Sequence, residues 1–313
     1  MIIKSSYRIK TPIVKKSKLT RDISGKHLSD GWSCNIGIGC THGCPFCYVP
    51  AFLKYEKEKN RLERKFFDNK WGSYLAIPYN LSEAIGDTPW LNWKDQEVLL
   101  SSMHDPFLPQ LKNHTLRILQ SGLEVGVKFC IQTRSVLVQD AFHILSNHSD
   151  QIRVQVSVCT LDKAFSRLIE PGVSPPQKRL DVLKMAKECD LKTGLIIAPV
   201  FPDVPRRKGH WYNDVRNIIK KAKDIELDYL YAEALHRRGN NIALINKTIG
   251  SKLTYEQLES FEPIAKARVI SLFQENSIKG IWWDEKRFKA KSRREISKQS
   301  RSDTSGNPLV KYF

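Results

Sequence analysis

No apolar run in the 313-residue sequence approaches the ~20 residues that a membrane-spanning helix requires. The first residues, Met-Ile-Ile-Lys-Ser-Ser-Tyr-Arg, lack an apolar signal core and a small-residue cleavage site, so a cytoplasmic location is expected. No internal repeat or low-complexity tract is present. Cysteine is scarce: there are seven, an odd number, which argues against a disulfide framework in a chain without a signal segment. Acidic residues are also short, 33 Asp plus Glu against 51 Lys plus Arg, for a net charge of +18. The apolar fraction of 41% and charged fraction of 27% are globular values, which excludes wholesale disorder.

The charge is concentrated at the ends. Residues 1–33 carry eight basic against two acidic side chains, and residues 286–313 carry nine against two. Thirteen of the eighteen net charges therefore lie in two terminal stretches. They read either as arms that contact a polyanion such as nucleic acid or as solvated tails.

Between them, strand-like runs alternate with helical patterns. Strands are predicted at 34–39, 97–102, 125–132, 152–158, 193–199 and 229–235. Helices are predicted at 51–65, 113–121, 137–146, 177–190, 211–224 and 254–274. This alternation predicts an α/β fold with a parallel sheet, and about six units suggest a partial (β/α)6 barrel of the TIM-like kind, although periodicity alone leaves an open sheet possible. The expected organisation is a basic N-terminal arm (1–30), the partial barrel (31–240), and a C-terminal helical extension with a basic tail (241–313).

Four of the cysteines fall in fourteen residues, Cys34-Asn-Ile-Gly-Ile-Gly-Cys40-Thr-His-Gly-Cys44-Pro-Phe-Cys47. Closely spaced thiolates suit soft metals or iron–sulfur clusters. A structural zinc site usually takes four ligands, often as two CxxC pairs, and only Cys44 and Cys47 form one; His42 is an awkward fourth ligand inside the same loop. Cys40, Cys44 and Cys47, spaced Cx3Cx2C, suit three corners of a [4Fe–4S] cube and leave one iron open. Cys34, Cys130 and Cys159 read as buried fillers on or near strands, with Cys130 or Cys159 a conceivable thiol hydrogen donor if it faced the barrel lumen.

The cysteine spacing, with Phe46 just before the third Cys, resembles the signature of the radical S-adenosylmethionine (radical SAM) enzymes. Further blocks resemble the spore photoproduct lyase-like branch, often described as DNA repair photolyase-like. These are Asn35-Ile-Gly-Ile-Gly-Cys40-Thr-His-Gly-Cys44, Ser101-Ser102-Met103-His104-Asp105-Pro106-Phe107, Gln132-Thr133-Arg134-Ser135, Val156-Ser157-Val158-Cys159, Arg167-Leu168-Ile169-Glu170-Pro171 and Ala198-Pro199-Val200-Phe201-Pro202. They cover roughly residues 31–240 in the expected order.

The resemblance implies that Cys40, Cys44 and Cys47 bind a [4Fe–4S] cluster whose open iron takes S-adenosylmethionine. His104 and Asp105 would lie near the methionine end of that cofactor. Arg134 stands where relatives place a cofactor-contacting Lys, a change that keeps the charge and alters its geometry. Ser157 would face the ribose. Glu233 is an interior polar candidate or else a partner of Arg237 or Arg238. Reductive cleavage would give a 5′-deoxyadenosyl radical that takes hydrogen from a substrate, with an external electron donor such as flavodoxin or ferredoxin.

Ser102 stands where spore photoproduct lyases proper have a hydrogen-donating Cys, and a hydroxyl cannot serve that purpose. The general branch is therefore expected, with the specific lyase disfavoured. No cysteine precedes Cys34 or follows Cys189, which argues against auxiliary clusters at either end and against methyl transfer through a C-terminal Cys.

The expected substrate is DNA or RNA. The alternatives are a peptide or small molecule with the same chemistry, or a non-enzymatic zinc-containing nucleic-acid-binding protein. Two other stretches bear on this. The basic turn Leu235-His236-Arg237-Arg238-Gly239-Asn240-Asn241 is a candidate for substrate phosphate. Trp71, Trp90 and Trp93 are expected to form a small satellite core, and Trp282-Trp283 to dock the basic tail on the barrel.

Overall fold

The computed structural model describes residues 2–4, 7–17, 31–58 and 68–283. Its first half contains strands β1 (Ile2–Lys4), β2 (Val14–Lys16), β3 (Trp32–Cys34) and β4 (Ile38–Gly39), helix α1 (Val49–Glu58), β5 (Tyr74–Ala76), α2 (Leu81–Gly86) and β6 (Glu97–Leu100). Then follow α3 (Lys112–Leu123), β7 (Lys128–Thr133), the four-residue α4 (Phe142–Leu145), β8 (Ile152–Ser157), α5 (Lys163–Ile169) and α6 (Pro176–Glu188). The chain continues through β9 (Lys192–Val200), α7 (Trp211–Asp224), β10 (Tyr229–Ala234), α8 (Asn241–Ile249), α9 (Tyr255–Glu275) and β11 (Gly280–Trp282).

The main sheet has the order β11-β10-β9-β8-β7-β6-β3-β2, with every pair parallel except β2 with β3. Its parallel strands are arranged in the order in which the chain makes them. This is the winding of a barrel, whereas a doubly wound sheet reverses order in the middle. Among the described residues β11 does not pair back to β2 or β3, so the barrel is partial. A smaller sheet, β1-β5-β4, lies at the mouth that the cysteine loop occupies.

The parallel strands are apolar on both faces because helices cover one and the barrel interior the other. Val98, Leu99, Leu100, Phe129, Ile131, Val154, Val156, Leu195 and Ile197 are all buried. Helix α7 shows the complementary pattern: Trp211, Val215, Ile218, Ile219 and Ala222 form its buried stripe, and Asp214 and Lys221 sit at the ends where they complement its dipole. Helix α9 opens on a capping box, in which Thr254 Oγ1 accepts from Gln257 N and Gln257 Oε1 accepts from Thr254 N.

Several expectations need correction. The first barrel strand is β3, ending at Cys34, and the chain then breaks at Asn35 because that side chain is drawn across to the Ser101–Met103 turn. The helix expected at 137–146 is a 3₁₀ segment (Val136–Ala141) followed by α4, a short crossover between β7 and β8. The N-terminal stretch is partly built into the fold: β1 pairs with β5, β2 pairs with β3, and Tyr7, Ile13 and Val14 are buried. The sheet also continues past residue 240, where β11 adds a seventh parallel strand and buries Trp282. Trp90 and Trp93 belong to the main core, and no separate satellite core holds them. Residues 1, 5–6, 18–30, 59–67 and 284–313, which include part of the N-terminal basic arm and all of the C-terminal one, lie outside the described residues. No helix among the described residues is long and apolar enough to cross a membrane.

Candidate active site

The cysteine loop, residues 40–47, leaves β4 and turns into α1. Cys40 and Cys44 are buried and Cys47 half-buried, and all three are free thiols. The loop is confined by backbone. Gly43 and Gly72 both adopt positive φ, and a Cβ on Gly72 would lie 2.5 Å from Gly43 Cα. On the other side, a Cβ on Gly172 would lie 2.5 Å from the Thr41 carbonyl, while Gly172 N donates to the His42 carbonyl at 2.9 Å.

Burial pushes the Cys40 thiol up to about 12, with the nearby Asp105 charge adding to it. Burial likewise raises Cys47 to about 11 and Cys44 well above the ordinary thiol range; Arg134 opposes both shifts. Three thiols in a dry loop therefore stay protonated at neutral pH. Among the described residues no three His, Cys, Asp or Glu side chains converge on a point fit for one metal ion. A cubane cluster makes a different demand, since each thiolate binds its own iron and the sulfurs stay apart. The donor set, three free cysteine thiols on one loop, suits such a cluster.

The elements around the loop present their C-terminal ends to it. Asn35, the residue that ends β3, is the clamp: its Oδ1 accepts from Ser102 N at 2.9 Å and Met103 N at 3.1 Å, and its Nδ2 donates to Ser102 Oγ at 3.2 Å. This turn holds Ser101 at φ 64, and Ser101 Oγ accepts from His104 N at 3.0 Å. His104 is committed to the scaffold. Its Nε2 accepts from Ile36 N at 3.0 Å and its Nδ1 faces the Asp105 carbonyl at 3.2 Å, so the ring offers no free nitrogen to a cofactor. Burial lowers its pKa to about 4, and it is neutral at physiological pH.

Asp105 is the hub between the cysteines and β7. Its Oδ1 accepts from Phe107 N at 2.9 Å and Thr133 Oγ1 at 2.7 Å, and its Oδ2 accepts from Arg134 N at 2.6 Å. His42 Nδ1 lies 3.6 Å from Oδ2, and burial pushes the imidazole pKa down against the pull of this carboxylate.

Arg134 stacks its guanidinium over the Phe46 ring at 5.4 Å, donates from Nη2 to the Ala198 carbonyl at 2.8 Å, and donates from Nε to Glu170 Oε1 at 3.0 Å. Burial works against its charge, but Glu170 outweighs this and holds it protonated. Behind it lies a network of buried charge. Glu170 accepts from Arg179 Nη2 at 2.5 Å and from Ser166 Oγ at 3.1 Å, and Arg179 also donates to the Ser157 carbonyl at the end of β8. Glu170 and Arg179 are fully buried.

The structure thus joins Cys40, Cys44, Phe46, Asp105, Arg134 and Ser157 through one set of contacts. Glu233 pairs with His236 at 3.4 Å and shares the electrostatic neighbourhood of Tyr48 with Cys47 and Arg134. The basic 235–241 turn has a role that its charge did not suggest. Asn241 Nδ2 donates to the Phe46 carbonyl at 3.3 Å, between Cys44 and Cys47, and Arg238 N donates to Asn241 Oδ1 at 2.8 Å. Asn241, Glu170 and Arg179 were missed as site supports. The Arg-Leu-Ile-Glu-Pro block was the available signal for Glu170.

Residues 34–208 match the radical SAM superfamily. The chain belongs to that superfamily. This radical SAM protein is 42% identical over 286 residues to protein ORF301 of Acidianus two-tailed virus, covering 90% of this chain and 92% of that one. It is 25% identical over 207 residues to protein MJ0683 of Methanocaldococcus jannaschii, covering 66% and 71% of the two chains. Its fold is similar to that of spore photoproduct lyase complexed with dinucleoside spore photoproduct, with a TM-score of 0.60, 12% identity, and coverage of 88% of this chain and 80% of that one. A spore photoproduct lyase variant with bound AdoMet and dinucleoside spore photoproduct gives a TM-score of 0.58 at 13% identity, over 81% and 76% of the chains. Radical SAM proteins are enzymes that use a [4Fe–4S] cluster and S-adenosylmethionine, and these are the cofactors of this one. Membership sets aside the reading as a non-enzymatic zinc protein.

Proposed function

We propose that Cys40, Cys44 and Cys47 hold the [4Fe–4S] cluster, that Phe46, Asp105, Arg134, Ser157 and Glu233 form the S-adenosylmethionine side of the site, and that the substrate is DNA or RNA. The observation that carries this reading is the buried thiol loop locked onto Asp105 and Arg134 at the C-terminal ends of the parallel strands. When loaded, the cluster and cofactor supply a 5′-deoxyadenosyl radical that takes a hydrogen atom from the substrate. The chain's own residues position and exclude. Arg134, cationic and held on three sides, is placed to attract a carboxylate. Phe46 covers the loop beside Cys47, and Asp105 fixes the junction of β6 and β7. His104 holds the Asn35–Ile36 segment and so supports Asp105 without touching cofactor. The electron comes from an external donor such as flavodoxin or ferredoxin.

A nucleic-acid substrate is supported by the excess of positive charge at both ends of the sequence and by the fold shared with a lyase solved in complex with dinucleoside spore photoproduct. The test is direct. Anaerobically purified protein should carry about four irons per chain and form 5′-deoxyadenosine under reduction. Cys44→Ala should lose both, and retention of iron and turnover in that variant contradicts the ligand assignment. Binding to DNA or RNA should weaken steeply with salt, and a salt-independent or absent interaction argues for a peptide or small-molecule substrate.

A further inference from the structure

A groove of about 660 Å³ opens between α5 and α7, beside the segment that follows β8 and the loop 201–210 that follows β9. It therefore lies at the same end of the sheet as the cysteine loop without including any cysteine. Helix α5 contributes Lys163 and Arg167, both exposed and one turn apart on one face. Helix α7 contributes Asn213 and Asn217 with the same spacing, and Lys208 lines the groove from the connecting loop.

Two carboxylates also line the groove, and both are bonded inward. Asp162 Oδ1 accepts from Ala164 N at 2.9 Å and Phe165 N at 3.1 Å, and its Oδ2 accepts from Lys208 N at 2.8 Å. Asp214 accepts from Thr160 Oγ1 at 2.5 Å and Leu161 N at 2.8 Å, and faces Arg207 at 3.5 Å. His210 pairs with Asp203 at 3.0 Å, and Lys208 lies in the field of Asp162. Lys163 and Arg167 form no ion pair among the described residues, so their charge faces the groove unneutralised.

The volume is that of a small-molecule site, typically ~300–1,000 Å³, and exceeds the needs of a bare phosphate. The lining offers no aromatic anchor of the kind that dominates protein interfaces. Cations beside amide donors suit phosphate oxygens beside sugar and base edges. From Asp214 in its lining, a run of side chains that includes edge-to-face aromatic contacts ties the groove to the candidate active site. Arg207 lies over Phe165 at 5.1 Å, Phe165 meets Phe201 at 5.4 Å, Phe201 meets Phe46 at 5.9 Å, and Phe46 underlies Arg134.

We propose that this groove binds the sugar–phosphate backbone of a nucleic-acid strand at a nucleotide other than the one that reacts, through Lys163, Arg167 and Lys208. The proposal rests on the nucleic-acid reading above and adds a location to it. The test uses the full chain, a fluorescein-labelled single-stranded oligodeoxynucleotide, and anisotropy titrations over a range of potassium chloride. Each lost phosphate contact should flatten the dependence of log affinity on log salt by roughly 0.7. The combined Lys163→Gln, Arg167→Gln and Lys208→Gln variant should therefore lose about 2 from that slope. A charge-matched control, Lys220→Gln with Lys221→Gln and Lys223→Gln near the other end of α7, should keep most of it. An unchanged slope in the groove variant, or an equal loss in the control, overturns the groove while leaving the nucleic-acid reading in place. No binding by the unaltered chain overturns both.

Discussion

Replacing Glu170 by Gln removes the carboxylate that lies between two guanidinium groups. Glu170 has no solvent exposure; its Oε1 takes Arg134 Nε at 3.0 Å and Arg179 Nη1 at 3.1 Å, and its Oε2 takes Arg179 Nη2 at 2.5 Å and Ser166 Oγ at 3.1 Å. Gln keeps the shape, but in either amide orientation its NH₂ faces an arginine donor. Removing one partner of a buried pair costs about 3–5 kcal/mol, because the other charge stays buried without compensation. At roughly 2 °C per kcal/mol for a chain of this size, the melting temperature should fall by about 6–10 °C.

The pH dependence follows from the carboxyl's own pKa. Burial pushes Glu170 up, but Arg179 and Arg134 outweigh it and hold it below the usual carboxylate range. A lowered pKa in the folded state means the unfolded chain binds the proton more tightly. The stabilisation is therefore complete above the unfolded value of about 4.3 and fades as pH falls through the folded one. The gap between wild type and Glu170→Gln should be full at pH 7 and shrink in acid. Urea titrations followed by circular dichroism under anaerobic conditions measure it. The double variant with Arg179→Met should cost less than the two single losses together, since each removes what strands the other. A Glu170→Gln loss below 1 kcal/mol at pH 7, or strict additivity in the double variant, would refute the reasoning.

Two further expectations follow from the loop and its supports. Gly172→Ala drives a Cβ into the Thr41 carbonyl at 2.5 Å and His42 Cα at 2.8 Å, all unyielding backbone. The overpacking should cost about 1–3 kcal/mol and speed iron loss to a chelator, whereas Gly86→Ala, with nothing within 4 Å, should do neither; equal iron retention in the two variants counts against a tightly wrapped loop. For His104, burial lowers the folded pKa to about 4 against an unfolded value of about 6.5, so the unfolded state binds the proton first on acidification. Stability should fall between pH 6.5 and 4 by about 3 kcal/mol from this group, and His104→Gln should be flatter over that window; an unaltered pH profile in the variant shows that the imidazole is not buried neutral.

The strand and helix alternation was legible because each parallel strand is apolar on both faces and each crossover helix on one. Helix α7, Trp211–Asp224, begins with its stripe at Trp211 and ends two residues past the stripe's last member, Ala222. The cysteine spacing and Phe46 were legible as local sequence. What the sequence hid is long-range. Nothing near Asn35 marks it as the residue that ends β3, because its partners lie at Ser102 and Met103. His104 looked like a cofactor contact because of its neighbours, while its ring is consumed by the backbone of Ile36. The short edge strand β11 follows a long helix and carries too few residues to show a period, and only its pairing with β10 makes it a strand.

The bond from Asn241 to the Phe46 carbonyl spans 195 residues of chain. On a ribosome adding about 5–20 residues per second, the cysteines emerge roughly 10–40 s before the side chain that clamps the loop between them. During that interval the loop lacks the bond from Asn241. With Cys40, Cys44 and Cys47 as the proposed ligands, productive metal loading waits for Asn241, which follows β10, and not for the appearance of the thiols. A nascent chain stalled short of Asn241 presents the same cysteines to oxidants and stray metals with nothing to hold them in register.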